Sequence, residues 1–188
     1  MNLELLTRRL ILRPLRFDDL DLGIEMFTNL EVVRYVGGLL SAEEVRSEMH
    51  NYIKRCGGGC IGIWCVIDQA TSEKIGTGAL LPMPIEDVDT NWNLVEGPDI
   101  PDCEIEVGYI LKPSAWRKGY ASEICKRLLT FAFEETPLAD IVACVDDDNH
   151  KSRHVLSKCG LRAEGKRLAY GVQSQCFRIT RKQWESEI

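Results

Sequence analysis

Apolar positions along this chain recur at two spacings, and the switches between them lay out the elements. Arg9-Leu10-Ile11-Leu12-Arg13-Pro14-Leu15 alternates and stops at proline, which predicts a short first strand. Phe17 and Leu22 then bracket Asp18 as a hydrophobic staple brackets an N-cap, so a helix is expected from Asp19 to Thr28. A short helical segment around Val32 to Val36 follows. A longer helix is expected from Ala42 to Lys54, with Ser41 as its cap and Glu44 at the capping-box position. Strands Ile61 to Ile67 and Lys74 to Leu81 flank a turn at Ala70-Thr71-Ser72-Glu73 and read as an antiparallel pair. A further apolar run, Ile105 to Leu111, passes through Lys112-Pro113-Ser114 into the basic turn Trp116-Arg117-Lys118-Gly119-Tyr120-Ala121. From about Gly119 an amphipathic helix begins, with Ala121, Ile124, Cys125, Leu128, Leu129 and Ala132 on one face. A buried strand, Asp140 to Val145, precedes a helix from His150 to Lys158 that Gly160 stops. Leu168 to Tyr170 and Val172 to Ile179 read as closing strands, with a final turn at Thr180 to Trp184.

Two stretches resist this periodicity. Gly57-Gly58-Gly59-Cys60-Ile61-Gly62 satisfies G-x-G-x-x-G, but it follows a helix and leads into a strand, the reverse of a dinucleotide-binding turn. It reads as a helix stop. Between Pro82 and Cys103 lie four prolines and six acids, Glu86, Asp87, Asp89, Glu96, Asp99 and Asp102. Loops of this length are usually functional or disordered, and both an acidic flap that attracts an amine or a basic peptide and a solvated surface loop fit the residues.

Composition narrows the class. A chain of 188 residues, 45% hydrophobic and 28% charged, suits one soluble globular domain over residues 1–188. No apolar run approaches a membrane span, and the first fourteen residues mix acids with bases where a signal core would be apolar, so a cytoplasmic protein with no membrane partner is expected. The net charge of −6 argues against a general nucleic-acid binder. Eight cysteines are scattered without a C-x-x-C pair or a zinc-finger histidine, so reduced core cysteines and no metal site are expected.

The basic turn carries the first chemical signal. A helix that opens where a turn ends leaves its first amides without intrahelical partners, and Gly119, Arg117 and Lys118 suit that end to a phosphate. Trp116, Gly119 and Ala121 fall at the first, fourth and sixth places of Q/R-x-x-G-x-G/A. The stretch therefore resembles the acetyl-CoA signature of the GNAT superfamily of N-acetyltransferases. With Trp at the first place, it is similar to the W-x-K-G-Y-A form of the RimJ/RimL branch. Thr7 to Asp19, T-x-R-L-x-L-R-P-L followed by two aspartates, looks like the opening of such proteins. Asn149 to Leu161 resembles the element beside the thiol end of CoA, and the tail matches the way these chains end. The resemblance implies an α/β (α+β) fold with a mixed, mostly antiparallel central sheet flanked by helices and splayed between its fourth and fifth strands. It also implies acetyl-CoA as co-substrate, with the pyrophosphate at Arg117, Lys118, Gly119, Tyr120, Ala121 and Ser122, beside Trp116. The pantetheine arm would lie along Tyr109, Ile110 and Leu111, with Asn149 near it, and the thioester would approach Ser152. The N-terminal helices would form one wall of an acceptor groove.

Attack of a neutral amine on a thioester needs a proton acceptor for the amine, a donor to the developing oxyanion and a proton source for the thiolate. Glu104 and Glu106 share one strand face. Glu106 is the favoured base and Glu104 the alternative, although paired solvent-facing carboxylates would look the same. A backbone amide near Tyr109 or Ile110 is the expected oxyanion donor. Many GNAT enzymes place a Tyr seven residues after the Asn; here that residue is Leu156, which leaves the Ser152 hydroxyl as the candidate acid, ahead of Tyr120 and Tyr170. Asn149 and Ser152 equally suit plain helix capping. The resemblance points to a protein N-terminal α-amine as acceptor. A small amine such as a polyamine or antibiotic, or acyl-CoA binding without turnover, is the alternative.

Overall fold

The computed structural model describes residues 2–186. Its centre is a nine-stranded sheet. The strands are β1 (Leu5–Leu6), β2 (Leu10–Pro14), β3 (Arg55–Cys56), β4 (Ile61–Asp68), β5 (Lys74–Pro82), β6 (Ile105–Leu111), β7 (Asp140–Val145), β8 (Arg162–Ala169) and β9 (Val172–Thr180). Their spatial order is β1-β2-β4-β5-β6-β7-β9-β8, with β3 paired to β4. Every pairing is antiparallel except β6 with β7, which run parallel and share one register pair, Glu106 with Val142. Beyond that pair the two strands part, so the splay between the fourth and fifth expected strands falls here.

Helices cover both faces. Helices α1 (Leu20–Phe27), α2 (Leu30–Val33) and α3 (Ala42–Tyr52) bring Leu22, Met26, Val32 and Met49 onto Cys65, Ile63 and Ile110. On the opposite face α4 (Tyr120–Glu135) lays its apolar stripe of Ile124, Cys125, Leu128, Phe131 and Ala132 on Leu12, Trp64, Val107 and Leu111. A Cβ at Gly78 would stand 2.8 Å from Ile124, so only glycine lets the helix approach β5 this closely. Helix α5 (His150–Lys158) packs beside α4 through Leu156, and α6 (Arg181–Glu185) closes the chain.

The N-terminal cap differs from the expected staple. Phe17 is 53% exposed and lies outside the buried cluster that holds Leu22. Instead α1 starts at Leu20, one residue later than expected, with Asp19 as its N-cap. The Asp19 carboxylate is 1% exposed. It accepts two bonds of 2.7 Å from the Arg13 guanidinium and one of 2.9 Å from the Arg16 amide, and lies 3.2 Å from the Lys74 ammonium. A buried charge must be paired, and this one draws the chain inward while Phe17 turns out.

Other departures have local causes. β8 begins at Arg162, six residues before the expected Leu168, because it is an exposed edge strand whose charged residues carry no apolar alternation. The 82–103 stretch is packed: Val95 is fully buried, Trp92 lies 5.6 Å from the Tyr52 ring, and Ile85 bridges Ala169. The all-reduced expectation is corrected for one pair. Cys144 and Cys176 face each other in register across β7 and β9 and form a disulfide, an adjacency that a separation of 32 residues conceals. The remaining six cysteines are free thiols, five of them buried.

Burial acts to raise the Asp19 pKa, but the Arg13 guanidinium and the Arg16 amide overcome it and hold the carboxyl at about 2. A folded pKa below the unfolded value stabilises the native state above about pH 4, and that stability is lost as pH falls through about 2. Asp19→Asn is therefore expected to cost about 2 kcal/mol at neutral pH. In urea titrations its deficit against the unaltered protein should shrink as pH drops below about 4; a deficit constant down to pH 2 would place the loss in packing, not charge.

Candidate functional site

The turn before α4 is held from three sides. Trp116 donates its indole N–H to the Leu111 carbonyl at 2.7 Å, folding the turn back on the end of β6. Glu123, in the first turn of α4, accepts the Thr7 hydroxyl at 2.6 Å and the Arg9 amide at 2.9 Å, and pairs with the Arg9 guanidinium at 2.6 Å. Arg9 also donates to the Lys118 carbonyl at 2.9 Å and sits 4.5 Å above the Tyr120 ring. The Tyr120 hydroxyl is committed to Asp68 at 2.6 Å, which removes it as a candidate acid.

The fourth side is open. Arg117 and Gly119 adopt φ of 61° and 80°, left-handed conformations of the kind that present successive amides to an anion. Glu123 is the first residue of the helix whose amide bonds backward, to Gly119 at 3.2 Å; the amides of 117–122 meet no acceptor among the described residues. The side chains of Arg117 and Lys118 are exposed here, and a Cβ at Gly119 would meet nothing nearer than Arg9 at 3.6 Å. Unpaired amides, a helix N-terminus and two cations together favour an anion with several oxygens.

From this turn β6 runs back to the fork. Tyr109 and Val107 face α4 and α5, whereas Ile110 and, by strand alternation, Glu106 face the side of α1–α3. The Tyr109 hydroxyl is 2.8 Å from the Ser152 Oγ and 3.3 Å from the Ser152 carbonyl. Burial pushes the phenol well above its ordinary range, so it remains a neutral hydrogen-bonding group. Asn149 accepts the Ser152 amide at 3.1 Å and so caps α5 while holding Ser152 toward Tyr109. Leu156 is buried in the core.

The two carboxylates have opposite environments. Glu104 lies just before β6 and is paired with Arg167 at 2.7 Å and with Arg178. Hydrogen bonding from Arg167, reinforced by Arg178, holds its pKa below the ordinary carboxylate range. That makes it a structural ion pair and a weaker base than Glu106. Glu106 stands at the fork itself, and its register partner Val142 packs with Met83 and Ala169 in an apolar patch. Burial alone pushes its carboxyl up to about 8. Its hydrogen-bond partner is the Tyr170 hydroxyl, which donates to Oε1 from the tip of the β8–β9 hairpin.

The structure thus brings Glu106 to the fork, Tyr109 and Ser152 together on one side of it, and 116–122 to the open turn. It binds Glu104 elsewhere. Sequence reading missed Thr7, Arg9 and Glu123 as supports of the turn, and the approach of Tyr170 to Glu106. The Thr7 and Arg9 roles left a trace in the similarity of the opening phrase, but the hairpin contact left none.

Known proteins agree with this architecture. The acetyltransferase (GNAT) domain family matches residues 9–162, and the chain belongs to it. Its members are acyltransferase enzymes, and this is one. The chain is 30% identical to the uncharacterized N-acetyltransferase YoaA of Bacillus subtilis over 176 residues, 89% of this chain and 88% of that protein. It is 27% identical to the FsC-acetyl coenzyme A-N(2)-transacetylase of Aspergillus fumigatus over 156 residues, 82% of this chain and 63% of that longer protein. A solved GNAT-family acetyltransferase from Bacillus anthracis superposes with a TM-score of 0.74 at 22% identity, over 95% of this chain and 99% of that one, which shows a shared fold.

A carboxyl whose folded pKa lies above its unfolded value of about 4.3 favours the native state at low pH, and loses that contribution as pH rises through about 8. Glu106→Gln removes the buried charge, so above pH 8 this variant is expected to be more stable than the unaltered protein by roughly 2–4 kcal/mol. The gain should fade toward pH 5. Denaturation midpoints across that range check it, and a variant less stable at every pH would refute the cost of burying this charge.

Proposed function

We propose that the chain, taken as one domain, transfers an acetyl group from acetyl-CoA to a primary amine in a ternary complex. The observation that carries this is the pairing of an open anion-binding turn with a strand fork whose floor holds a buried carboxyl. The residues fit the donor: the amides of 117–122, with Arg117 and Lys118, suit a diphosphate. The unpaired edge of β6 beyond Glu106, at Tyr109, Ile110 and Leu111, suits an extended amide-bearing arm that adds to the sheet, with Asn149 nearby. The name of the Aspergillus relative, which includes acetyl coenzyme A, supports the same donor. The thioester supplies an activated acyl carbon. The protein supplies orientation, an amide of β6 for the oxyanion, Glu106 to take the amine proton and Ser152, oriented by Tyr109, to protonate the thiolate.

The base also bears on the acceptor. A carboxyl near 8 matches an α-amine, whose pKa is about 7.7–8, better than a lysine amine near 10.4. A protein N-terminus, as in the RimJ/RimL branch that the sequence resembles, is therefore our first acceptor. A small polycationic amine is the second, favoured by the acidic residues Asp87 and Asp89 on the loop that packs against the β8–β9 tip. Six free thiols beside one disulfide support our placement in the cytoplasm, and no described helix is long and apolar enough to cross a membrane.

Acetyl-CoA at about a hundredfold over its Kd should add roughly 2.7 kcal/mol of stability. Incubation with acetyl-CoA and a panel of N-terminal peptides, lysine peptides and polyamines, read by mass, should show acetylation of at least one class. The kcat/KM should rise with pH through about 8 as Glu106 ionises. Glu106→Gln should lower kcat/KM about a hundredfold, with Ser152→Ala causing a smaller loss. Binding of acetyl-CoA without transfer to any amine would favour a non-catalytic module instead.

A further inference from the structure

A buried base creates a difficulty that an exposed one does not. Once the Glu106 carboxylate has taken a proton, it must release it before the next turnover, and only 8% of the residue is exposed. Among the described residues its carboxyl has a single hydrogen-bond partner, Tyr170. Tyr170 is 37% exposed, so the residue whose hydroxyl reaches the buried carboxyl also meets solvent.

The backbone at Tyr170 shows that this placement is imposed. Tyr170 and Gly171 are the two turn residues of the β8–β9 hairpin, and both have positive φ, 53° and 70°. That describes a type I′ turn, whose first position normally takes Asn, Asp or Gly, because a bulky side chain is strained in the left-handed region by about 1 kcal/mol or more. A tyrosine is held there all the same. The tip is tied to the preceding loop by three backbone bonds, Gly171 N–H to the Asp87 carbonyl at 2.8 Å, Glu86 N–H to Leu168 at 3.0 Å and Tyr170 N–H to Pro84 at 3.4 Å. The flanking charges do not reach the carboxyl: Glu104 is taken up by Arg167 and Arg178, and Arg178 also by Asp140 and Glu164.

We propose that Tyr170 is the proton outlet of Glu106, a positioning residue that drains the base to solvent through its hydroxyl. The inference rests on the acetyl-transfer reading above. As the amine nitrogen bonds to the acyl carbon, one N–H bond breaks and its proton passes to the Glu106 carboxylate. Glu106 then gives a proton to the Tyr170 oxygen while the original phenol proton leaves to water or a buffer base. Tyr170 ends neutral, Glu106 ends as carboxylate, and no oxidant or metal is required. Between turnovers the hydroxyl donates to Oε1 and so stabilises the charged form that the reaction needs.

The test compares the unaltered protein with Tyr170→Phe, which keeps the ring and removes the relay atom. Infrared difference titration, with the Glu106 carboxyl band assigned by Glu106→Gln, should place the midpoint in Tyr170→Phe about one pH unit higher, because the carboxylate has lost its donor. With an amine found by the acceptor panel, kcat should fall about tenfold with the KM for acetyl-CoA unchanged. Added phosphate, acting as a proton acceptor, should restore the rate of the variant in a concentration-dependent way and leave the unaltered protein unaffected. A merely structural role would not give that rescue. An unmoved midpoint, a rate within about twofold of the unaltered protein, or a loss that phosphate does not restore each overturns the outlet. Failure of the unaltered protein to acetylate any amine would overturn the acetyl-transfer reading and the outlet together.

Discussion

The first turn of α4 has to keep its amides open while staying rigid, and those demands conflict. An exposed helix end frays unless its orphan groups are satisfied, and satisfying them here would leave no amide for the proposed anion. The structure separates the two by anchoring side chains and carbonyls only. Glu123 is gripped by Thr7 and Arg9, the Lys118 carbonyl accepts from Arg9, Tyr120 is tied to Asp68, and Trp116 to Leu111. Every anchor leaves the N–H side of the turn free. The strand-proximal segment 7–9 therefore belongs to the site although it carries no chemistry of its own.

That rigid turn has meaning only because β6 and β7 part. A parallel pair that continued past Glu106 and Val142 would satisfy the main-chain groups of Tyr109 to Leu111 and leave no edge for an arm to join. The parting is supported from the face that α4 and α5 cover. Gly78 draws α4 down onto β5 and β6, while α5, capped by Asn149, stands beside Tyr109 through Ser152. An edge strand in the middle of a sheet would be an aggregation hazard if it lay exposed at the rim. Recessed between two layers of helices, it becomes a selective slot.

Much of this was legible from residues alone, for identifiable reasons. The run from Ile105 through Gly119 to Phe133 is readable because a strand, a tight turn and an amphipathic helix each have a local period, and the turn requires glycine at one backbone angle. Glu106 could be picked as a carboxylate on the strand, but nothing local separated it from Glu104, since the difference is made by Arg167 and Arg178 more than sixty residues later. β8 reads short for the opposite reason: an exposed edge strand rich in Arg, Lys and Glu has no alternation to read. The Cys144–Cys176 bond and the Tyr170 contact both depend on β7–β9–β8 register, which the sequence leaves open until the sheet order is known.

The contrast between the two glutamates ties the periphery to the centre. Glu104 and Glu106 lie two residues apart, yet one is held charged by arginines and the other is left in an apolar fork. Their roles are coupled. Arg167 and Arg178 lie on β8 and β9, so by gripping Glu104 they bind the hairpin to the start of β6 across the short β7 between them. Arg178 extends the grip to Asp140 on β7 at 3.0 Å and to Glu164 on β8 at 2.9 Å. The same hairpin carries Tyr170 at its other end. A hairpin free to lift would take the hydroxyl away from Glu106, flood the fork with water and return that carboxyl toward an ordinary value, making it a weaker base. Glu104, held ionised by its two arginines, thus fastens the element that keeps Glu106 dry.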